Sequence, residues 1–236
     1  MLRQELIKRS PIKIFEQSIH GGLGKGNLGV FTGRKGSGKT ACLVHVSIDK
    51  MLRDQKVLHV SFAEDPRHIA NWYDHVLSEI AAAYQMEDAL DNREQVVHNR
   101  MILHFREKDV TLDHVKHSIE GLCEGAPFCP DIFIIDGFSF YDADEDDFNF
   151  WKNLARERDV AVWFSASLHR ESLELDGRGI PAPVNRFSDW LDVIIMLQPA
   201  HDHVDLNLLK DRDSKGLERL KLKLDPKTLL ISNHRV

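Results

Sequence analysis

The sequence predicts an α/β fold, a mainly parallel sheet with helices on both faces and antiparallel strands added at the C-terminal edge. Three observations lead there. Nine short apolar runs recur along the 236 residues, helix-period stretches separate the earlier ones, and the last three are joined by short turns. A crossover helix needs a dozen or more residues, so those late strands are expected to be antiparallel.

The apolar runs fall at 28–32, 57–62, 101–105, 132–135, 160–165 and 193–197, then at 204–209, 220–224 and 229–232. The first six read mostly as strands buried on both faces. The clearest helix opens at Asp65-Pro66, an N-cap residue followed by proline at the first helical position. Ile69, Trp72, Tyr73, Val76, Leu77 and Ile80 then keep the 3.6-residue period. A second helix is expected over 40–52, with Val44, Ile48, Met51 and Leu52 on one face. No repeat, low-complexity tract or Pro/Gly/Ser linker divides the chain, so a single domain over 1–236 is expected.

Composition narrows the class. An apolar fraction of 42% and a charged fraction of 29% exclude a disordered, collagen-like or disulfide-stapled chain. The net charge of −6 is wrong for a protein that coats nucleic acid by bulk electrostatics. The charge is uneven: residues 1–40 hold eight Lys or Arg against Glu5 and Glu16, a net of +6, which leaves −12 for the remainder. Cys42, Cys123 and Cys129 form no CxxC pair, so neither a disulfide framework nor a zinc knuckle is indicated. No apolar run approaches the ~20 residues of a membrane span, and the first residues lack the apolar core of a signal peptide. A cytoplasmic location without membrane insertion is the expectation.

Gly33-Arg34-Lys35-Gly36-Ser37-Gly38-Lys39-Thr40 fits the phosphate-loop pattern GxxxxGK[ST], with an apolar run before it and a helical pattern from Ala41 onward. Glycines let backbone N–H groups turn inward onto phosphate oxygens, and the helix N-terminus adds partial positive charge at the same point. Lys39 would reach the β- and γ-phosphates. The Thr40 hydroxyl would be a ligand for Mg²⁺, which takes few protein oxygens and keeps phosphate and water for the rest.

A carboxylate is expected to approach that metal from the end of another strand. Asp131-Ile132-Phe133-Ile134-Ile135-Asp136 supplies one, with Asp136 closing an apolar run. A residue to orient the attacking water is expected after the strand at 57–62, where Glu64 and Asp65 stand. We assign Asp65 to the helix cap and Glu64 to the water.

The stretch over 20–40, HGGLGKGNLGVFTGRKGSGKT, resembles the entry to the RecA-type ATPase core of KaiC-like and DnaB-like proteins. The resemblance continues through SFAEDP at 61–66, DIFIIDG at 131–137, WFSASLHRE at 163–171 and SDWLDVIIML at 188–197. It implies a RecA-like P-loop fold, ATP and Mg²⁺ as ligands, and a homo-oligomer, a ring or hexamer, with nucleotide at the subunit interface. Lys210-Asp211-Arg212 is similar to the Lys-x-Arg element with which a neighbouring subunit in such rings touches the γ-phosphate; its other reading is a solvated charged turn. One departure stands out. DnaB-like proteins place a polar sensor where this chain has Ser165-Ala166-Ser167-Leu168-His169, so Ser167 or His169 would take over that contact.

The two segments that in RecA-type motors grip nucleic acid disagree here. The first carries Asp142, Asp144, Glu145, Asp146 and Asp147, which repel a phosphate backbone and read equally as the first turn of a helix. The second mixes Arg170, Arg178 and Arg186 with Glu171, Glu174 and Asp176. His201-Asp202-His203 reads as a surface turn and not a metal site, as do His114 and His117 on a helix. An ATP-driven switch acting on a protein partner is therefore expected. The alternatives are an ATPase dependent on DNA or RNA, such as a translocase or recombinase accessory, and an ATP sensor that does not hydrolyse.

Overall fold

The computed structural model describes residue 7 and residues 10–85, 96–105, 110–125, 128–168, 174–212 and 218–233. Nine strands form one sheet in the order β3-β2-β4-β5-β1-β6-β7-β8-β9. The strands are β1 (Leu28–Arg34), β2 (Val57–Ser61), β3 (Arg100–His104), β4 (Ile132–Asp136), β5 (Ala161–Leu168), β6 (Val193–Pro199), β7 (Val204–Asp211), β8 (Glu218–Leu224) and β9 (Ile231–Asn233). The helices are α1 (Pro11–Ser18), α2 (Lys39–Leu52), α3 (Pro66–Ala83), α4 (Leu112–Gly125) and α5 (Glu145–Glu157). Every pairing from β3 through β6 is parallel, and those of β6 with β7, β7 with β8 and β8 with β9 are antiparallel. All nine apolar runs are thus strands, with shifted ends. β7 extends through Lys210 and Asp211, which the sequence pattern leaves just beyond the strand.

Strand alternation divides the core in two. On one face Phe31, Ile134, Trp163 and Ile195 meet α1, α2 and α3, and on the other Val30, Phe133, Ile135, Phe164 and Ile194 meet α4 and α5. Gly29 makes the first face possible. A Cβ there would stand 2.7 Å from the Trp163 ring, which instead lies stacked on Phe31 at 4.8 Å between centroids. On α3 the predicted stripe is buried at Ile69, Tyr73, Val76, Leu77 and Ile80, with Trp72 half-buried at its margin.

The acidic segment forms the start of α5. The Asp144 side chain accepts from the backbone of Asp146 and Asp147, and Asp147 returns a bond to the Asp144 backbone, completing a capping box. Among the described residues no helix is long and apolar enough to cross a membrane.

Candidate functional site

In a parallel sheet, side chains at the C-terminal ends of strands meet the N-termini of the helices that follow, and ligands bind in that crevice. Here β1 runs into the glycine-rich loop, and the loop into α2. Gly36 and Gly38 take φ of +82° and +92°, backbone that costs an ordinary residue dearly. Gly38 is also the α2 N-cap and offers no side-chain acceptor, so the first N–H groups of α2 have no cap from that residue. A Cβ on Gly38 would come within 2.2 Å of Leu224 Cδ2, so the end of β8 closes against the loop.

Lys39 is only 8% exposed. Its Nζ donates to the carbonyls of Gly33 at 3.0 Å and Arg34 at 2.9 Å. Burial pulls its pKa down to about 8, against the opposing pull of Asp136. An ammonium so desolvated gains from a phosphate beside it. The Ser37 hydroxyl is buried in the same loop with no hydrogen-bond partner. A buried polar atom in that state costs free energy until something pairs with it, and a phosphate oxygen in the loop would do so. Arg34 and Lys35 are exposed around the rim.

β5 separates β1 from β4, yet the start of α2, which follows β1, reaches the end of β4. Thr40 Oγ1 donates to Asp136 Oδ2 at 2.9 Å, while Ser165 Oγ, on β5, donates to Oδ1 at 2.5 Å. The Gly137 N–H in turn donates to Ser165 Oγ at 2.9 Å. Asp136 is thereby held 6% exposed between two hydroxyls. Among the described residues no group of three or more His, Cys, Asp or Glu side chains could hold a metal. The hydroxyl of Thr40 and carboxylate of Asp136 fit a hard cation such as Mg²⁺, which accepts few protein oxygens when phosphate and water supply the rest.

Ser61 pairs in register with Asp136, so the turn after β2 leaves at the same edge. Ser61 Oγ fixes that turn, donating to the Glu64 carbonyl at 2.8 Å and accepting from the Glu64 N–H at 3.0 Å. The Glu64 carboxylate is half exposed, 3.9 Å from His68 Nε2. Asp65 accepts from the N–H groups of Arg67 at 2.9 Å and His68 at 3.1 Å. Those backbone bonds hold its carboxyl below the usual range. Asp65 is thus the helix cap that the sequence pattern predicts, with Glu64 beside it facing His68.

Ser167 lies on β5, and Lys210 and Arg212 lie at the end of β7. Ser167 is exposed on β5, opposite Gly33 in register, and His169 lies outside the described residues. Lys210 Nζ donates to the Ser188 carbonyl at 2.7 Å. Arg212 turns its guanidinium onto its own chain, donating to the carbonyls of Ile19 at 3.3 Å, Gly22 at 2.6 Å and Leu23 at 3.4 Å. It also bonds Asp211 Oδ1 at 2.8 Å, and Asp211 bonds His20. The family resemblance implies that this arginine reaches a neighbouring subunit, with a solvated turn as its other reading; here it bonds the loop at 19–23 of its own chain. His203 is held between Asp202 and Asp205, as a surface turn would be.

Ser165 and Ser61 are polar members of this edge to which the sequence motifs assign no role, whereas Ser37 belongs to the phosphate-loop pattern itself. Ser165 lies on the opposite side of the Asp136 strand from Ser61, and its hydroxyl meets the carboxylate through the order and parallel pairing of the strands, which no motif spacing records. No protein-family model matches the chain, and no curated protein matches it.

Proposed function

We propose that the chain is a RecA-type P-loop ATPase of the KaiC-like and DnaB-like kind, acting as an oligomeric ATP-driven switch on a protein partner. The observation that carries this reading is the bond between Thr40, opening α2, and Asp136, closing β4, beside a buried lysine whose ammonium rests on loop carbonyls. A loop built only for a turn needs neither a buried ammonium nor an orphaned buried hydroxyl.

In this reading the N–H groups of Gly36, Ser37, Gly38, Lys39, Thr40 and Ala41 cradle the phosphates, with the turn at Gly33, Arg34 and Lys35 leading in. Lys39 exchanges the carbonyls of Gly33 and Arg34 for β- and γ-phosphate oxygens. Bound Mg²⁺ would neutralise charge on those oxygens, held by Thr40 and Asp136. Glu64 orients a water and accepts its proton as the water oxygen attacks the γ-phosphorus. The bond to the β,γ-bridging oxygen breaks, and ADP leaves with charge that Lys39 and the loop amides stabilise.

Lys210 and Arg212 belong to the proposal as groups supplied to the neighbouring site, Arg212 giving up its bonds to the loop at 19–23 on assembly. A protein partner is preferred over nucleic acid because the segment after β4 carries five carboxylates at the edge where a phosphate backbone would pass. The test is ATP binding and turnover by the purified chain with Mg²⁺ across protein concentrations, with and without single-stranded DNA or RNA. A rate per subunit that climbs with concentration and ignores nucleic acid agrees with the proposal. Stimulation by nucleic acid would replace the switch with a motor, and tight binding without turnover would replace it with a sensor.

A further inference from the structure

On the face of the sheet opposite α2, a cleft of about 320 Å³ opens at the C-terminal edge, between the start of α4 and the chain that follows β4. Its size lies at the lower end of clefts that take small ligands. The floor is apolar, formed by Phe62, Val110, Leu112, Val115 and Phe138, with Phe62 and Phe138 edge to face at 5.7 Å. The rim is anionic. Asp142 and Asp147 line it, Asp144, Glu145 and Asp146 are exposed beside it, and residues 139–147 hold five carboxylates and no lysine or arginine. Tyr141, in the same segment, and Leu175 are the large apolar side chains left exposed among the described residues, at 39% and 52%. Arg186 fastens the two loops together through the carbonyls of Tyr141 and Ala143, each at 3.3 Å.

The inner wall of this cleft is also the outer wall of the candidate site. Gly137 lines the cleft and donates to the Ser165 hydroxyl that holds Asp136. Phe62 stands two residues before Glu64. Between them Ala63 packs so closely on Gly137 that a Cβ there would lie 2.9 Å from the alanine methyl. Anything seated against Phe62 and Phe138 therefore presses on the supports of both carboxylates.

We propose that this cleft docks an extended segment of a protein partner presenting a bulky apolar side chain beside lysine or arginine, and that its occupancy sets the positions of Asp136 and Glu64. The floor rewards burial of an apolar group. The rim selects the flanking cations and repels polyanions. The coupling rests on the reading of Asp136 and Glu64 as hydrolytic carboxylates, whereas the docking does not.

The experiment pans a random linear dodecapeptide display library on the full chain and, separately, on its Lys39→Ala variant. Both are expected to enrich the same pattern, a bulky apolar residue next to Lys or Arg. A synthetic copy of the enriched peptide should lose at least tenfold in affinity against Asp142→Lys and, independently, against Leu112→Asp. Both variants should keep wild-type circular dichroism and, without peptide, wild-type ATP affinity. On the wild type, the peptide should change ATP turnover or ATP affinity severalfold. No enrichment, acidic or purely polar winners, binding indifferent to both variants, or displacement of the peptide by single-stranded DNA would overturn the docking surface. Cleft binding that leaves turnover and ATP affinity unchanged would overturn the coupling. Failure of the untreated chain to bind ATP would overturn the coupling together with the ATPase reading, and would leave the docking result standing.

Discussion

Thr40 and Asp136, 96 residues apart in sequence, are joined by a hydrogen bond of 2.9 Å between hydroxyl and carboxylate. The bond fixes the first turn of α2 against the end of β4. It gathers two oxygens of the kind Mg²⁺ prefers beside the glycine-rich loop and the N-terminus of α2.

Removing either oxygen should therefore uncouple metal from nucleotide. Asp136→Asn and Thr40→Val are expected to retain weak ATP binding and to lower turnover at least about 100-fold. Titrating Mg²⁺ against turnover and against ATP affinity checks this. Wild-type Mg²⁺ dependence in either variant would move the metal site elsewhere.

Asp65 caps α3, and the adjacent Glu64 is proposed to orient the attacking water. Glu64→Gln should hold ATP within a few-fold of wild-type affinity and lose about 10²–10⁴ in turnover, the range for a lost general base. Asp65→Ala should instead lower the melting temperature, because two N–H groups of α3 lose their acceptor. Single-turnover hydrolysis and thermal unfolding of the pair separate the two roles. Equal turnover losses would show that Glu64 has no special part.

Arg212 gives a test of assembly. Alone, Arg212→Ala removes the donor that bonds the carbonyls of Ile19, Gly22 and Leu23, so a modest loss of stability is expected. In a shared site, mixing Arg212→Ala subunits with Lys39→Ala subunits should restore part of the turnover that each lacks, since some interfaces then pair an intact loop with an intact arginine. An inactive mixture at every ratio would place Arg212 in a structural role only.

Two buried histidines set an acid limit on stability. Burial lowers His45 to about 4, although its Nε2 bonds the Leu229 carbonyl at 2.9 Å. His59, beneath Ser61 on β2 and bonded to the Tyr73 hydroxyl at 2.9 Å, is lowered for the same reason. Both stay neutral in the folded chain where unfolded histidines, with pKa near ~6.5, take up protons. Their stabilising contribution is thus complete above that pH and drains away as pH falls toward 4. Urea unfolding at pH 7 and pH 5 should show a lower midpoint at pH 5, and His45→Gln should narrow the gap.

In the proposed ATPase Lys39 sets the alkaline limit on binding. With its pKa lowered to about 8 by burial, the free chain loses the ammonium above that pH, so ATP binding then requires proton uptake. Affinity should fall as pH rises from 8 to 9, with proton uptake on binding detectable from the buffer dependence of the binding heat.

Much of this was legible in the sequence because it is local. The strands announce themselves as apolar runs, Asp65-Pro66 marks the start of α3, and the glycine-rich loop carries its own flanks. Asp144 and Asp147 likewise form a cap four residues long. What was hidden depends on the sheet order. Ser165 reaches Asp136 only because β5 lies beside β4, and Arg212 folds onto the loop at 19–23 only because β7 ends beside β6 and the start of the chain. Long-range neighbours of that kind leave no spacing signature. The acidic segment reads alone as a solvated helix start, and acquires its second aspect only beside Phe62 and Phe138 of other strands' ends.

The measurement to make first is ATP binding by the wild-type chain and by Lys39→Ala, by isothermal titration with and without Mg²⁺, with circular dichroism to confirm that both are folded. Tight binding by the wild type that Mg²⁺ strengthens, and loss of at least about 100-fold in the variant, is the expected outcome. Equal affinity in two folded proteins, or no affinity in either, would remove the phosphate loop from the function of this chain.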